Sequence, residues 1–172
     1  DLAKEINGQA VATEIARHEL YGCTGAEMVQ EMKPYHIDFP NVKNNCLRFE
    51  VSPSIEESAT FTDADWAELG NDFMQRMGLA NHQYIIIRHS GTESKKEQAH
   101  LHILANRVSL SGELYRDNWI GKKATEAANA IAKERNFVQS QDIGKVNKAE
   151  IKEAMDGVLK KMQGFDFTKF KE

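Results

Sequence analysis

The sequence predicts an α+β fold, an antiparallel sheet with helices packed on one face. Three observations predict it. Residues 83–88, QYIIIR, and 100–108, HLHILANRV, are two β-prone runs. The polar stretch of about ten residues between them leaves no room for a crossover helix, so the two strands are antiparallel neighbours. Trp66, Leu69, Phe73, Met74 and Met77 fall on one face of a helical segment that Thr62 opens and Gly78 closes.

The elements follow in order. Residues 9–22, QAVATEIARHELYG, have apolar spacing that fits a short helix or a helix and a turn. Thr24 caps the next helix, with Glu27 as capping-box partner and Met28 and Met32 at helical spacing; Pro34 weakens its end. KPYHIDFPNVKNN then reads as a loop. CLRFEV, 46–51, alternates as a strand that Pro53 ends. After the helix from Thr62 come the strand 83–88, a polar loop over 90–99 and the strand 100–108. SLSGEL is a turn around Gly112, and the Ala-rich stretch 121–135 is helical. QSQDIGKV, 139–146, reads as a linker. An amphipathic helix over 147–162 follows, with Asn147 as cap and Ile151, Ala154, Met155, Val158, Leu159 and Met162 as its apolar side. The tail FDFTKFKE has the character of a helix start.

The 172 residues suffice for one domain with a real core, and 41% hydrophobic with 28% charged residues is ordinary for a soluble globular protein. No apolar run approaches the roughly 20 residues that span a bilayer, and the polar start DLAKEINGQAV is no secretory signal. No membrane association is expected. Cys23 and Cys46 have no metal-like spacing, which fits free thiols in a reducing cytoplasm. The net charge of −4 argues against a protein that coats nucleic acid but leaves room for a nuclease with a local basic groove.

The question of function turns on the histidines. In a strand, residues i and i+2 face one side, so His100 and His102 point together with Leu104 and Asn106. His89 ends the incoming strand and, in hairpin register, joins that face. Three neutral imidazoles there form a ligand set that leaves coordination positions open for a phosphate or carbonyl oxygen. The same residues also fit a half-exposed polar strand face, or core histidines satisfied by backbone. Arg88 and Arg107 flank the cluster. His82 lies a full strand length from His89 and is no fourth ligand; His18 and His36 read as surface residues. Zinc-protease spacing, a phosphate-binding glycine loop and a Gly-x-Ser-x-Gly elbow are all absent. Lys95 and Lys96 read as a solvated loop.

HQYIIIRHS, the polar loop and AHLHILANRVSLSGELY together resemble the third motif of mobilisation relaxases of the MobA/MobL (MOBP-like) type, nucleases of plasmids and mobilisable transposons, especially those of Bacteroidetes. FEVSPSIEESATFTDADWAELGNDFMQRMGL resembles the family's strand, SP turn and following helix, and the likeness covers most of residues 20–137. It implies a relaxase nuclease domain over 1–137 and a linker with a C-terminal helical extension over 138–172. The implied fold is a sheet of about five antiparallel strands with helices, of the HUH relaxase and rolling-circle-initiator kind. The implied activity is metal-dependent nicking and strand transfer at an origin of transfer during conjugation, in the cytoplasm. The partners it implies are hairpin and single-stranded origin DNA, a mobilisation accessory protein and a coupling protein. By resemblance His89, His100 and His102 hold a divalent cation, Mn²⁺ or Mg²⁺, and Asn106 and Arg107 support the site or contact DNA.

The chain departs from the pattern in two respects. The family's nucleophilic tyrosine and first strand align at or upstream of Asp1; of Tyr21, Tyr35, Tyr84 and Tyr115, Tyr21 is the nearest substitute. The loop between His89 and His100 is also longer than the family's. Positive charge is instead enriched late, at Lys122, Lys123, Lys133, Lys145, Lys148, Lys152, Lys160 and Lys161, where it could track a phosphate backbone. Two other readings stay open: a relaxase-derived DNA-binding module without a nucleophile, and an unrelated three-histidine hydrolase with Glu93 or Glu97 as base.

Overall fold

The computed structural model describes residues 4–6, 9–90 and 98–161. Five strands form one antiparallel sheet: β1 (Lys4–Ile6), β2 (Gln9–His18), β3 (Cys46–Val51), β4 (His82–His89) and β5 (His100–Ser109), in the order β1-β2-β4-β5-β3. The helices are α1 (Gly25–Met32), the single turn α2 (Ile55–Ser58), α3 (Asp63–Arg76), α4 (Ile120–Glu134) and α5 (Ser140–Lys161); a 3₁₀ turn, Lys33–His36, follows α1. The chain divides into two compact units, residues 1–137 and 138–172. The described part of the second is α5 alone.

The expected α+β class is observed. Capping boxes start α1 at Thr24 with Glu27 and α3 at Thr62 with Asp65. Gly78, at φ +72°, turns the chain out of α3. Leu47, Phe49, Ile86, Leu101, Ile103 and Ala105 project from one face of the sheet into the main core. There they meet Trp66, Leu69, Phe73 and Met74 of α3 and Ala127 and Ile131 of α4.

Four expectations need correction. Residues 9–18 are the strand β2, not a helix. Helices cover both faces of the sheet, because Met28 of α1 packs with Ala12, Leu20, Ile85 and Ile87 on the side opposite α3. The supposed linker 139–146 lies almost wholly within α5, and Asn147 is an interior position of that helix. His18 and His36 are half-buried, not surface residues; His18 stacks on Tyr84 with centroids 5.2 Å apart, and its Nδ1 lies 2.9 Å from the carbonyl of His82. Lys95, Lys96, Glu93, Glu97 and the tail after 161 fall outside the described residues.

On its α1 side the sheet is covered only in part. Cys46, Arg48 and Glu50 of the edge strand β3 alternate with the buried Leu47 and Phe49 and are exposed. That leaves an open strip of sheet beside β5, and the histidines lie next to it.

Candidate metal centre

The hairpin register sets His89 directly opposite His100, with His102 opposite Ile87. Ile85, Ile87 and His89 of β4 share the face of His100, His102 and Leu104 of β5. Two local features therefore make the cluster: the period of a strand and a hairpin closed at this end. Ring centroids lie 5.4 Å apart for His89 and His100, 4.3 Å for His89 and His102, and 4.9 Å for His100 and His102. One ligating nitrogen from each of the three falls within 4.8 Å of the others. His100 is buried; His89 and His102 are half-buried.

Burial pushes the pKa of His102 down, and His89, His100 and Arg48 add to this against the opposing carboxylate of Glu50. The ring is thus held neutral, the form that ligates. The Nε2 atoms of His100 and His102 stand 3.1 Å apart. Two nitrogens at right angles on one cation, each about 2.1 Å from it, have a separation of about 3 Å, so the pair fits a shared ion. Nδ1 of His100 faces the carbonyl of Gln98 at 3.3 Å, the outer hydrogen bond that typically fixes a ligating imidazole. The donors are all uncharged, so a divalent cation held here keeps its full charge for an anionic substrate.

The other site candidates lie elsewhere. Asn106 shares the histidine face, but four residues along β5, roughly 13 Å from His102. It is fully buried, with Nδ2 donating to Gln83 Oε1 at 3.0 Å and to the Met32 carbonyl at 3.4 Å, while Oδ1 accepts from the amide of Val108. Arg107 is engaged by Asp117, the Tyr115 carbonyl and the Asn44 carbonyl, and Arg88 by Asp63. Tyr21 follows β2 beyond His18, which pairs with Tyr84 at the end of the sheet away from His89. Its exposed hydroxyl donates to Glu19, which raises its pKa and disfavours the phenolate. Tyr84 is buried on the α3 side, its hydroxyl donating to Asn71.

The sequence reading missed Arg48 and Glu50. Alternation in CLRFEV put both on one face of a strand, but no local pattern said that β3 would lie against β5, with Glu50 opposite His102. Arg48 Nη2 lies 3.3 Å from His102 Nδ1.

The antiparallel sheet thus brings together three histidines that could hold a metal ion, beside an exposed edge strand. A family model described as relaxase, MobA/VirD2-like, nuclease domain, matches residues 3–137. The chain therefore belongs to the MobA/VirD2-like relaxases, enzymes that nick DNA. No curated protein and no solved structure matches it. No helix among the described residues is long and apolar enough to cross a membrane.

Proposed function

We propose that this relaxase nicks one strand at the origin of transfer of a mobile element, using His89, His100 and His102 to hold a divalent cation, Mn²⁺ or Mg²⁺. The convergence of the three ring nitrogens carries this reading. When bound, the cation would neutralise charge on the scissile phosphate. The chain's own residues do the rest. His100, anchored through Nδ1 on Gln98, keeps its Nε2 pair directed at the cluster. Ile87 and Leu104, beside the rings on the same face, lower the local polarity and strengthen electrostatic interactions there.

The nucleophile is a tyrosine hydroxyl. Its oxygen bonds to phosphorus, the bond from phosphorus to the 3′ oxygen breaks, and that oxygen leaves as a hydroxyl, with the 5′ phosphate on the tyrosine. We place this tyrosine N-terminal to β1, as the family pattern implies. The expectation of a missing first strand is corrected, because β1 to β5 already make the five-stranded sheet. The register supports the placement: Lys4 pairs with Ala12, Ala12 with His89 and His89 with His100, so the chain enters in the row of the histidines, two strands from His89. The domain over 1–137 would act in the cytoplasm on hairpin and single-stranded origin DNA. An accessory protein and a coupling protein would join it in conjugative mobilisation.

The test uses protein extended upstream to include the tyrosine, and a supercoiled plasmid carrying DNA that flanks the gene. Nicking with Mn²⁺, none with chelator, and a protein–DNA adduct on a denaturing gel are expected. Unchanged nicking by the variant His100→Ala plus His102→Ala would overturn the metal assignment. Absence of the adduct, with DNA still bound, would favour a binding module without a nucleophile.

A further inference from the structure

Five of the seven arginines are held by carboxylates: Arg17 by Glu14, Arg76 by Asp72, Arg88 by Asp63, Arg107 by Asp117 and Arg135 by Glu68. Arg48, the arginine beside the histidines, has no carboxylate partner among the described residues; its guanidinium instead meets Nδ1 of His102 at 3.3 Å. It is exposed on β3, on the opposite face of the strand from the buried Leu47 and Phe49.

The contact places the guanidinium at the rim of the ring cluster, against the side of His102 turned away from His100. A guanidinium only donates, and among the described residues this one has no anionic acceptor.

We infer that Arg48, at the rim of the histidine cluster, is a phosphate-positioning residue whose guanidinium grips the non-bridging oxygens of the DNA phosphate. This rests on the metal reading above. A planar guanidinium suits two phosphate oxygens at once, and the open strip leaves access for the strand. Cation and phosphate would then bind cooperatively, each raising the affinity of the other by the same factor.

Inorganic phosphate and Mn²⁺ suffice as probes. Calorimetry measures Mn²⁺ affinity, and ³¹P relaxation by the paramagnetic ion measures phosphate binding to the loaded protein. Arg48→Ala is expected to raise Mn²⁺ affinity a few-fold without phosphate, because a positive charge beside the ligands is gone. It should weaken phosphate binding to the loaded protein about tenfold, the scale of one charge-assisted hydrogen bond. Arg48→Lys should recover part of the phosphate affinity. Unchanged phosphate binding by Arg48→Ala, with Mn²⁺ bound normally, overturns this inference and leaves the metal reading standing. Mn²⁺ affinity that falls with Arg48→Ala assigns the arginine to bracing the ring and overturns it as well. Wild-type protein that takes up no Mn²⁺ overturns both.

Discussion

Asn106 and His82 are polar residues of the two strands that carry the histidines, and both are structural. The polar atoms of Asn106 are spent on Gln83, Met32 and Val108, and the carbonyl of Asn106 accepts from Nδ1 of the buried His82 at 2.9 Å. Asn106→Ala should therefore destabilise the protein by about 1–3 kcal/mol in urea melts, the cost of orphaning buried partners. It should leave Mn²⁺ affinity unchanged; a large loss of affinity would return Asn106 to the site. Burial pushes the pKa of His82 down. The folded state thus takes up this proton less readily than the unfolded one, whose histidine titrates near its ordinary value of about 6.5. His82 contributes no penalty above that value. Stability is lost as pH falls below it toward the depressed folded pKa. His82→Asn, which retains a donor and removes the titration, should flatten the decline in melting temperature between about pH 6.5 and pH 5. An unchanged slope would count against His82 as a source of acid sensitivity. At this scale the histidine trio was legible, because strand period and hairpin register are both local. Arg48 was not, because its partner lies 54 positions away on a strand that sequence order does not make a neighbour.

Among the elements, α3 and the β4–β5 pair were readable and β2 was not. Between Glu14 and Ala16 the register of β2 against β4 slips, so Glu14 pairs with Ile87 and Ala16 with Ile86. Such a bulge breaks the alternation that marks a strand. Ile15 and Ala16 consequently both pack toward the main core, and the apolar spacing imitates a helix. The start of α5 was misread because Gly144 and its polar neighbours look like a linker, a local preference that the helix overrides. The α3 seat on the sheet is close at Gly70, where a Cβ would stand 2.7 Å from Ile86 Cδ1 and 3.3 Å from Leu101 Cδ1. Leu101 belongs to the strand that carries His100 and His102, so α3 backs the histidine cluster from the other side of the sheet. Gly70→Val should cost about 1–3 kcal/mol by overpacking. It should also weaken Mn²⁺ binding, although Gly70 lies on the far side of the sheet from the histidines. A variant that loses stability yet binds Mn²⁺ as wild type does would show that this seat does not govern the ligands.

Over the whole molecule, charge decides how DNA can be held. Residues 1–137 carry 15 basic and 20 acidic side chains, a net of −5, and residues 138–172 carry 7 and 6, a net of +1. The late lysines are partly engaged: Lys123 donates to the Arg116 carbonyl, Lys122 lies 3.8 Å from Glu126, and Lys145 donates to Asp142. This balance predicts that side chains neutralise few phosphates of a bound strand. Single-strand affinity falls with salt with a log–log slope of about −0.7 per neutralised phosphate. With a labelled oligothymidylate of about twenty nucleotides and chelator present, fluorescence anisotropy from about 50 to 200 mM KCl should give a slope of about −1 to −3. Adding Mn²⁺ should tighten binding in wild type, because uncharged ligands leave the cation's charge to the phosphates, and should do nothing in His100→Ala plus His102→Ala. A slope steeper than about −5 without metal would reveal a broad cationic surface and make the lysines, rather than the histidine cluster, the principal hold on DNA.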